Sequence, residues 1–310
     1  MTATKQDTAP TVVDSQPALI HLLDSILELP VEPPSLYFDL EGIRLGRLGS
    51  ISLVSLHVAP HSKTYIVDVN LLCGSAFSTL STNKEWSLKT VLESQHIPKV
   101  FFDVRNDSDA LYSHYQISIN GVVDLQLLEL ATRKGSRNRV AGLAKCIQTD
   151  SSVSDDSKRA WRETKEAIGR LYDPKSGGRY EVFNECPLRP DILQYCAYDV
   201  ELLPSLWEVY STELLKTGYG CWRSMIRHET QERIKLSQSP HYNGQAQSKV
   251  YGPWDSHNIE AAIENWNDDV MLLEVHDGMV LDEYDQWVDP RQNSVGRSSA
   301  STLVARLATK

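Results

Sequence analysis

Cysteine is scarce in this chain and shows no pairing pattern. Cys73, Cys146, Cys186, Cys196 and Cys221 are odd in number and have no Cys-x-x-Cys spacing, which argues against a disulfide framework and against a structural zinc site. A reducing compartment fits, so the expected location is intracellular, cytoplasm or nucleus. Long apolar runs are missing too: none approaches the roughly 18 residues that a membrane-spanning helix needs. The N-terminus lacks a charged stretch followed by an apolar core, so no membrane partner is expected. Positive charge is in deficit, with 31 Lys and Arg against 41 Asp and Glu and a net charge of -10. That balance disfavours a polyanion binder held by charge alone, but leaves room for a local basic groove or bound metal ions. No phosphate loop or dinucleotide glycine pattern is present, so no nucleotide cofactor is implied. The nine histidines form no metal-ligand spacing, and Cys73 and Cys196 have no histidine partner in sequence.

What the chain does have is enough apolar content, 41% of 310 residues, for a sizeable core. Residues 1–14 are polar and aperiodic and read as a disordered tail. Ala18, Leu19, Leu22, Leu23, Ile26 and Leu27 recur at helical spacing before Pro30. Three strand-like runs follow, Leu36 to Glu41, Ile51 to Val58 and Thr64 to Val69, separated by turn-rich segments. A helix around Trp86 to Ser94, a strand at Lys99 to Asp103, a helix from Asp107 to Tyr115 and a strand at Gly121 to Leu125 complete the pattern. A meander followed by alternating strand and helix predicts a mixed sheet with helices against it, the α/β class. Residues 134–189 are polar and carry Lys134, Arg137, Arg139, Lys145, Lys158, Arg159, Arg162 and Lys165, as a solvated face or as cations that track a phosphate backbone. Residues 240–258 read as loop. After them come a short helix at Ala261 to Trp266 and a hairpin, with strands at Val270 to Val275 and Met279 to Leu281 around Asp277-Gly278. The domain reading is therefore a catalytic domain at 15–215 and a C-terminal extension at 216–310 that packs on it.

Three elements carry chemistry. In the strand Ser35-Leu-Tyr-Phe-Asp-Leu-Glu-Gly42, Asp39 and Glu41 lie two apart and share one face, while Leu36, Phe38 and Leu40 face the other way. Two carboxylates beside a core strand need a proton or a positive charge, and a divalent metal is the simplest such charge. A second acidic cluster, Asp103-Val-Arg-Asn-Asp107-Ser-Asp109, falls where a strand gives way to a helix; there an acid also serves as a cap. In the third, Tyr195 and Asp199 stand four apart on a predicted helix and share a face beside the apolar stripe of Ile192, Cys196, Val200 and Leu203.

Taken together, these elements resemble the DEDDy group of 3′-to-5′ exonucleases on the ribonuclease-H-like fold. Lys99-Val-Phe-Phe-Asp-Val-Arg-Asn-Asp-Ser-Asp-Ala-Leu111 and Val122-Val-Asp-Leu-Gln126 are similar to the exonuclease-domain-1 and Egalitarian branch, related to ribonuclease D and the Werner exonuclease. The resemblance covers roughly residues 16–215. It implies a ribonuclease-H-like mixed five-stranded sheet flanked by helices, followed here by a C-terminal extension of helices and a short hairpin. It also implies hydrolysis at the 3′ end of single-stranded nucleic acid, RNA favoured over DNA, with two divalent ions, Mg²⁺ or Mn²⁺, as cofactors. Four acids without clustered His or Cys suit such hard cations. Residue by residue, Asp39 would bridge both ions, Glu41 and Asp199 would hold the ion that activates the attacking water, and Asp107 would hold the other. Tyr195 would orient the water. Asp107 is preferred on the Arg-Asn-Asp-Ser spacing, with Asp109 as the alternative ligand; Asp103 and Asp124 read as capping groups. Phe102 stands where many relatives carry His. The motifs leave substrate-binding residues and oligomeric state open. A non-catalytic adaptor on the same fold is the competing reading, which the presence of all four acids and the tyrosine disfavours.

Overall fold

The computed structural model describes residues 9–216, 218–275, 280–281 and 287–288. It divides into two compact units, Met1–Trp254 and Asp255–Lys310. The first is built on one mixed sheet of six strands: β1 (Thr11–Val13), β2 (Leu36–Glu41), β3 (Leu53–Val58), β4 (Lys63–Asp68), β5 (Lys99–Phe101) and β6 (Val122–Asp124), in the order β1-β4-β3-β2-β5-β6. The helices around it are α1 (Gln16–Ile26), α2 (Val69–Leu72), α3 (Ser75–Ser78), α4 (Leu88–Glu93), α5 (Arg105–Tyr115), α6 (Leu125–Thr132), α7 (Leu143–Thr149), α8 (Asp155–Tyr172), α9 (Pro190–Glu201), α10 (Leu203–Leu214) and α11 (Gly220–Gln238).

The α/β reading holds, and the sheet gains one strand over the five expected. Thr11–Val13 fall in the stretch read as a tail, but they pair parallel with Tyr65–Val67 at the sheet edge. A three-residue edge strand bounded by Pro10 and Asp14 is too short to show alternation in sequence.

β2 lies at the centre, antiparallel to β3 and parallel to β5. Its alternation separates two cores. Leu36, Phe38 and Leu40 pack with α1, α4 and α5 residues such as Leu22, Val91 and Leu111, and Phe38 stacks on Phe101 at 5.6 Å. On the opposite face, Leu53 and Ile66 pack with Ile168 of α8, with Val182 and Phe183, and with Ile192, Tyr195 and Cys196 of α9. Asp39 and Glu41 look toward this second layer. Gly42 ends β2 because the carbonyl of Ser50 passes where a side chain would start: a Cβ at this position would lie 2.0 Å from that oxygen.

Beyond residue 214, α11 packs on α5 and α6. The 240–254 stretch then returns over the first unit, where Gly252 N donates to Asn138 O at 2.9 Å and Trp222 meets Trp254 edge-on at 5.3 Å. The second unit contains α12 (Ser256–Val275) and a two-stranded ladder of β7 (Val280–Leu281) and β8 (Trp287–Val288). Here the expected hairpin is corrected. Val270–Val275 continue α12 instead of forming its first strand. Ile259, Ile263, Trp266 and Val270 follow a helical period, and the helix-favouring Met271, Leu272, Leu273 and Glu274 continue it. The expected turn, Asp277-Gly278, lies outside the described residues.

Candidate active site

Strand alternation sets Asp39 and Glu41 side by side on β2, and α9 crosses the same face, where Pro190 opens the helix and Ile192, Cys196 and Val200 bury its stripe. Asp199 follows on the adjoining face. One carboxylate oxygen from each of Asp39, Glu41 and Asp199 falls within 4.8 Å of the other two. No other group of this kind, drawn from His, Cys, Asp and Glu, occurs among the described residues.

Asp107 reaches the same region from the first turn of α5. The chain turns there because Asp103 adopts a left-handed conformation, φ 61°, with its amide donating to Asp124 Oδ1 at 3.0 Å. Asp107 is 6% exposed, and its Oδ1 is buried without a hydrogen-bond partner. Asp109, two residues on, is engaged differently. Its Oδ2 accepts from the Arg47 amide at 2.8 Å, and its Oδ1 accepts from Arg47 Nε at 2.7 Å.

The electrostatics mark the cluster as short of positive charge. Burial, then repulsion from Asp199, pushes the Asp39 carboxyl up to about 7 despite the pull of Lys165. Burial, then Asp39, holds Glu41 well above the usual carboxylate range, and the same two causes raise Asp107. Asp199 is raised by burial, with Lys165 and Trp161 pulling the other way. Tyr195 is buried, and its hydroxyl donates to Tyr172 Oη at 3.3 Å. Burial and the neighbouring Glu41 keep this phenol protonated well above its ordinary range.

Two residues at the site escaped the sequence reading as site groups, and both lie on α8. Trp161 Nε1 donates to Asp199 Oδ1 at 3.3 Å. Lys165 forms an ion pair with Asp199 Oδ2, and its ammonium sits 4.0 Å from the centre of the Tyr195 ring. The available signal was positional. Trp161, Lys165, Ile168 and Tyr172 recur at helical spacing, which puts a lysine on the helix face that turns inward.

These donors fit a hard divalent cation: all are carboxylate oxygens, several are destabilised in their charged form, and one buried oxygen has nothing to bind. A family model for 3′-5′ exonucleases matches residues 12–214. The chain belongs to the 3′-5′ exonuclease family. Mouse piRNA biogenesis protein EXD1 is 34% identical over 109 residues, which cover 35% of this chain and 17% of that protein. This exonuclease-family chain thus spans about a sixth of the length of that curated relative. Among solved structures, Trypanosoma brucei RNase D in complex with RNA U12 aligns with a TM-score of 0.61 at 20% identity, over 84% of this chain and 79% of that one. Escherichia coli RNase D aligns with a TM-score of 0.50 at 14% identity, over 75% and 51%. These likenesses bear out the ribonuclease-H-like fold, and with the family match they support a DEDDy exonuclease-family domain. No helix among the described residues is long and apolar enough to cross a membrane.

Proposed function

We propose that this chain hydrolyses the terminal phosphodiester at the 3′ end of single-stranded nucleic acid, releasing nucleoside 5′-monophosphates, with RNA favoured over DNA. The observation that carries this reading is the convergence of Asp39, Glu41 and Asp199, with Asp107 close enough to Asp39 for its carboxyl to be raised. The four acids would hold two divalent ions, Mg²⁺ or Mn²⁺, which supply an activated water, neutralise charge at phosphorus and stabilise the leaving 3′ oxygen. The water oxygen bonds to phosphorus while the bond to the 3′ oxygen breaks, leaving a shortened strand with a 3′-hydroxyl. Tyr195 keeps its proton at neutral pH and orients the water by hydrogen bonding. Asp109, already held by Arg47, is assigned no metal. RNA is favoured because one structural neighbour was solved with RNA and the mouse relative is named for piRNA biogenesis.

The test is incubation of the purified chain with 3′- and 5′-labelled single strands of RNA and DNA in Mg²⁺, Mn²⁺ or EDTA. Metal-dependent shortening from the 3′ end, faster on RNA, is expected. Strands that are retained but never shortened would overturn the enzymatic reading in favour of a binding adaptor on the same fold.

A further inference from the structure

Lys165 is an unusual neighbour for a cluster that would bind metal. It projects from α8 onto Asp199, and the charges of Glu41 and Asp39 also act on it. It sits over the Tyr195 ring as well, so it touches the groups assigned to both the ion and the water. Its side chain is 26% exposed.

We propose that Lys165 is a resident counter-ion that holds down the divalent-metal affinity of the Asp39/Glu41/Asp199 cluster, so that full loading requires the phosphate of the nucleic acid. This rests on the exonuclease reading above. Asp39, Glu41 and Asp199 against the Lys165 ammonium leave two negative charges, with Asp107 set against Lys249, so one divalent ion balances the site and a second overshoots by two positive charges. A bound phosphate offsets this excess, with one negative charge in a phosphodiester and about two in a nucleoside 5′-monophosphate. Without the ammonium, the second ion overshoots by only one. A competing cation within a few ångströms of the ion, in a partly buried site, weakens binding by at least about tenfold. Lys165 is a positioning residue in this account, since it acts through the carboxylates.

The test is Mn²⁺ titration of the full chain by calorimetry, without nucleic acid and with a nucleoside 5′-monophosphate, for the wild type, Lys165→Met, Lys165→Gln and Lys165→Arg, each checked for folding by circular dichroism. Expected for the wild type is one tight Mn²⁺ alone and a second only with the nucleotide. Lys165→Met and Lys165→Gln should take two Mn²⁺ without nucleotide, the second at least about tenfold tighter than in the wild type, and Lys165→Arg should behave as the wild type does. A purely structural lysine would give weaker Mn²⁺ binding when removed. Unchanged or weaker binding in both neutral variants overturns the inference, whether or not strands are shortened. Tighter binding in those variants without shortening of any strand upholds the inference and sinks the exonuclease reading instead.

Discussion

Two groups of buried or half-buried acids occur in the first unit and are treated in opposite ways. Asp103, Asp109 and Asp124 each face an arginine: Arg105 Nε lies 2.5 Å from Asp103, Arg47 Nε 2.7 Å from Asp109, and Arg233 Nη1 2.8 Å from Asp124. Burial raises the Asp103 carboxyl, but the hydrogen bond and charge of Arg105 outweigh burial and leave it below the usual range. Asp39, Glu41 and Asp199 share Lys165, Asp107 feels the charge of Lys249, and all four are raised. Buried carboxylates thus serve two purposes. Matched acids tie α5, β6 and α11 together, while unmatched acids store an unfavourable charge that a bound metal would relieve.

The contrast breaks most sharply by substitution. Asp39→Asn and Asp199→Asn should each lower turnover by more than about a hundredfold, beyond the loss expected from an outer partner of a metal ligand. Asp39→Asn should leave the melting temperature in EDTA unchanged or raised, because it removes a repelled charge; steady-state rates and calorimetric melts check both. Arg233→Ala should do the reverse. It strands Asp124, which is fully buried, and removes a donor to Gln126 Oε1, so the unfolding free energy should drop by about 3–5 kcal/mol in urea titration. The matched pair of tests is Asp107→Asn against Asp109→Asn. The first should lose metal binding and turnover at unchanged stability, and the second should lose about 1–3 kcal/mol while it still cuts.

Smaller effects follow. Tyr195→Phe should reduce kcat by about tenfold to a hundredfold, the scale of a misplaced reactant, and leave the Mn²⁺ dissociation constant nearly unchanged. The smallest is a pH effect. The folded-state pKa of Asp103 is depressed, so its stabilising contribution is present above the unfolded value and is lost as pH falls through it. The stability difference in EDTA between the wild type and Arg105→Gln should therefore shrink between about pH 5 and pH 3.

Period-two alternation in Leu36–Glu41 and the four-residue step from Tyr195 to Asp199 made the sheet centre and the α9 face legible in sequence, because both patterns are local. What sequence could not supply were contacts between distant segments. Only the fold shows that Arg47 occupies Asp109 and leaves Asp107 Oδ1 bare, since the arginine lies in the loop after β2. Likewise, Lys165 belongs to a run of cations that reads first as a solvated face, with a phosphate track as the alternative; its pairing with Asp199 depends on how α8 lies against α9. β1 was hidden by its brevity, and the helical course of Val270–Val275 by a short apolar run that periodicity alone does not assign to helix or strand.

The most direct measurement follows 5′-labelled single-stranded RNA with Mn²⁺ and identifies the small products. The account predicts a ladder that shortens from the 3′ end, release of nucleoside 5′-monophosphates, and no reaction in EDTA or with Asp39→Asn. An intact strand in Mn²⁺, or shortening that persists in Asp39→Asn, would contradict it.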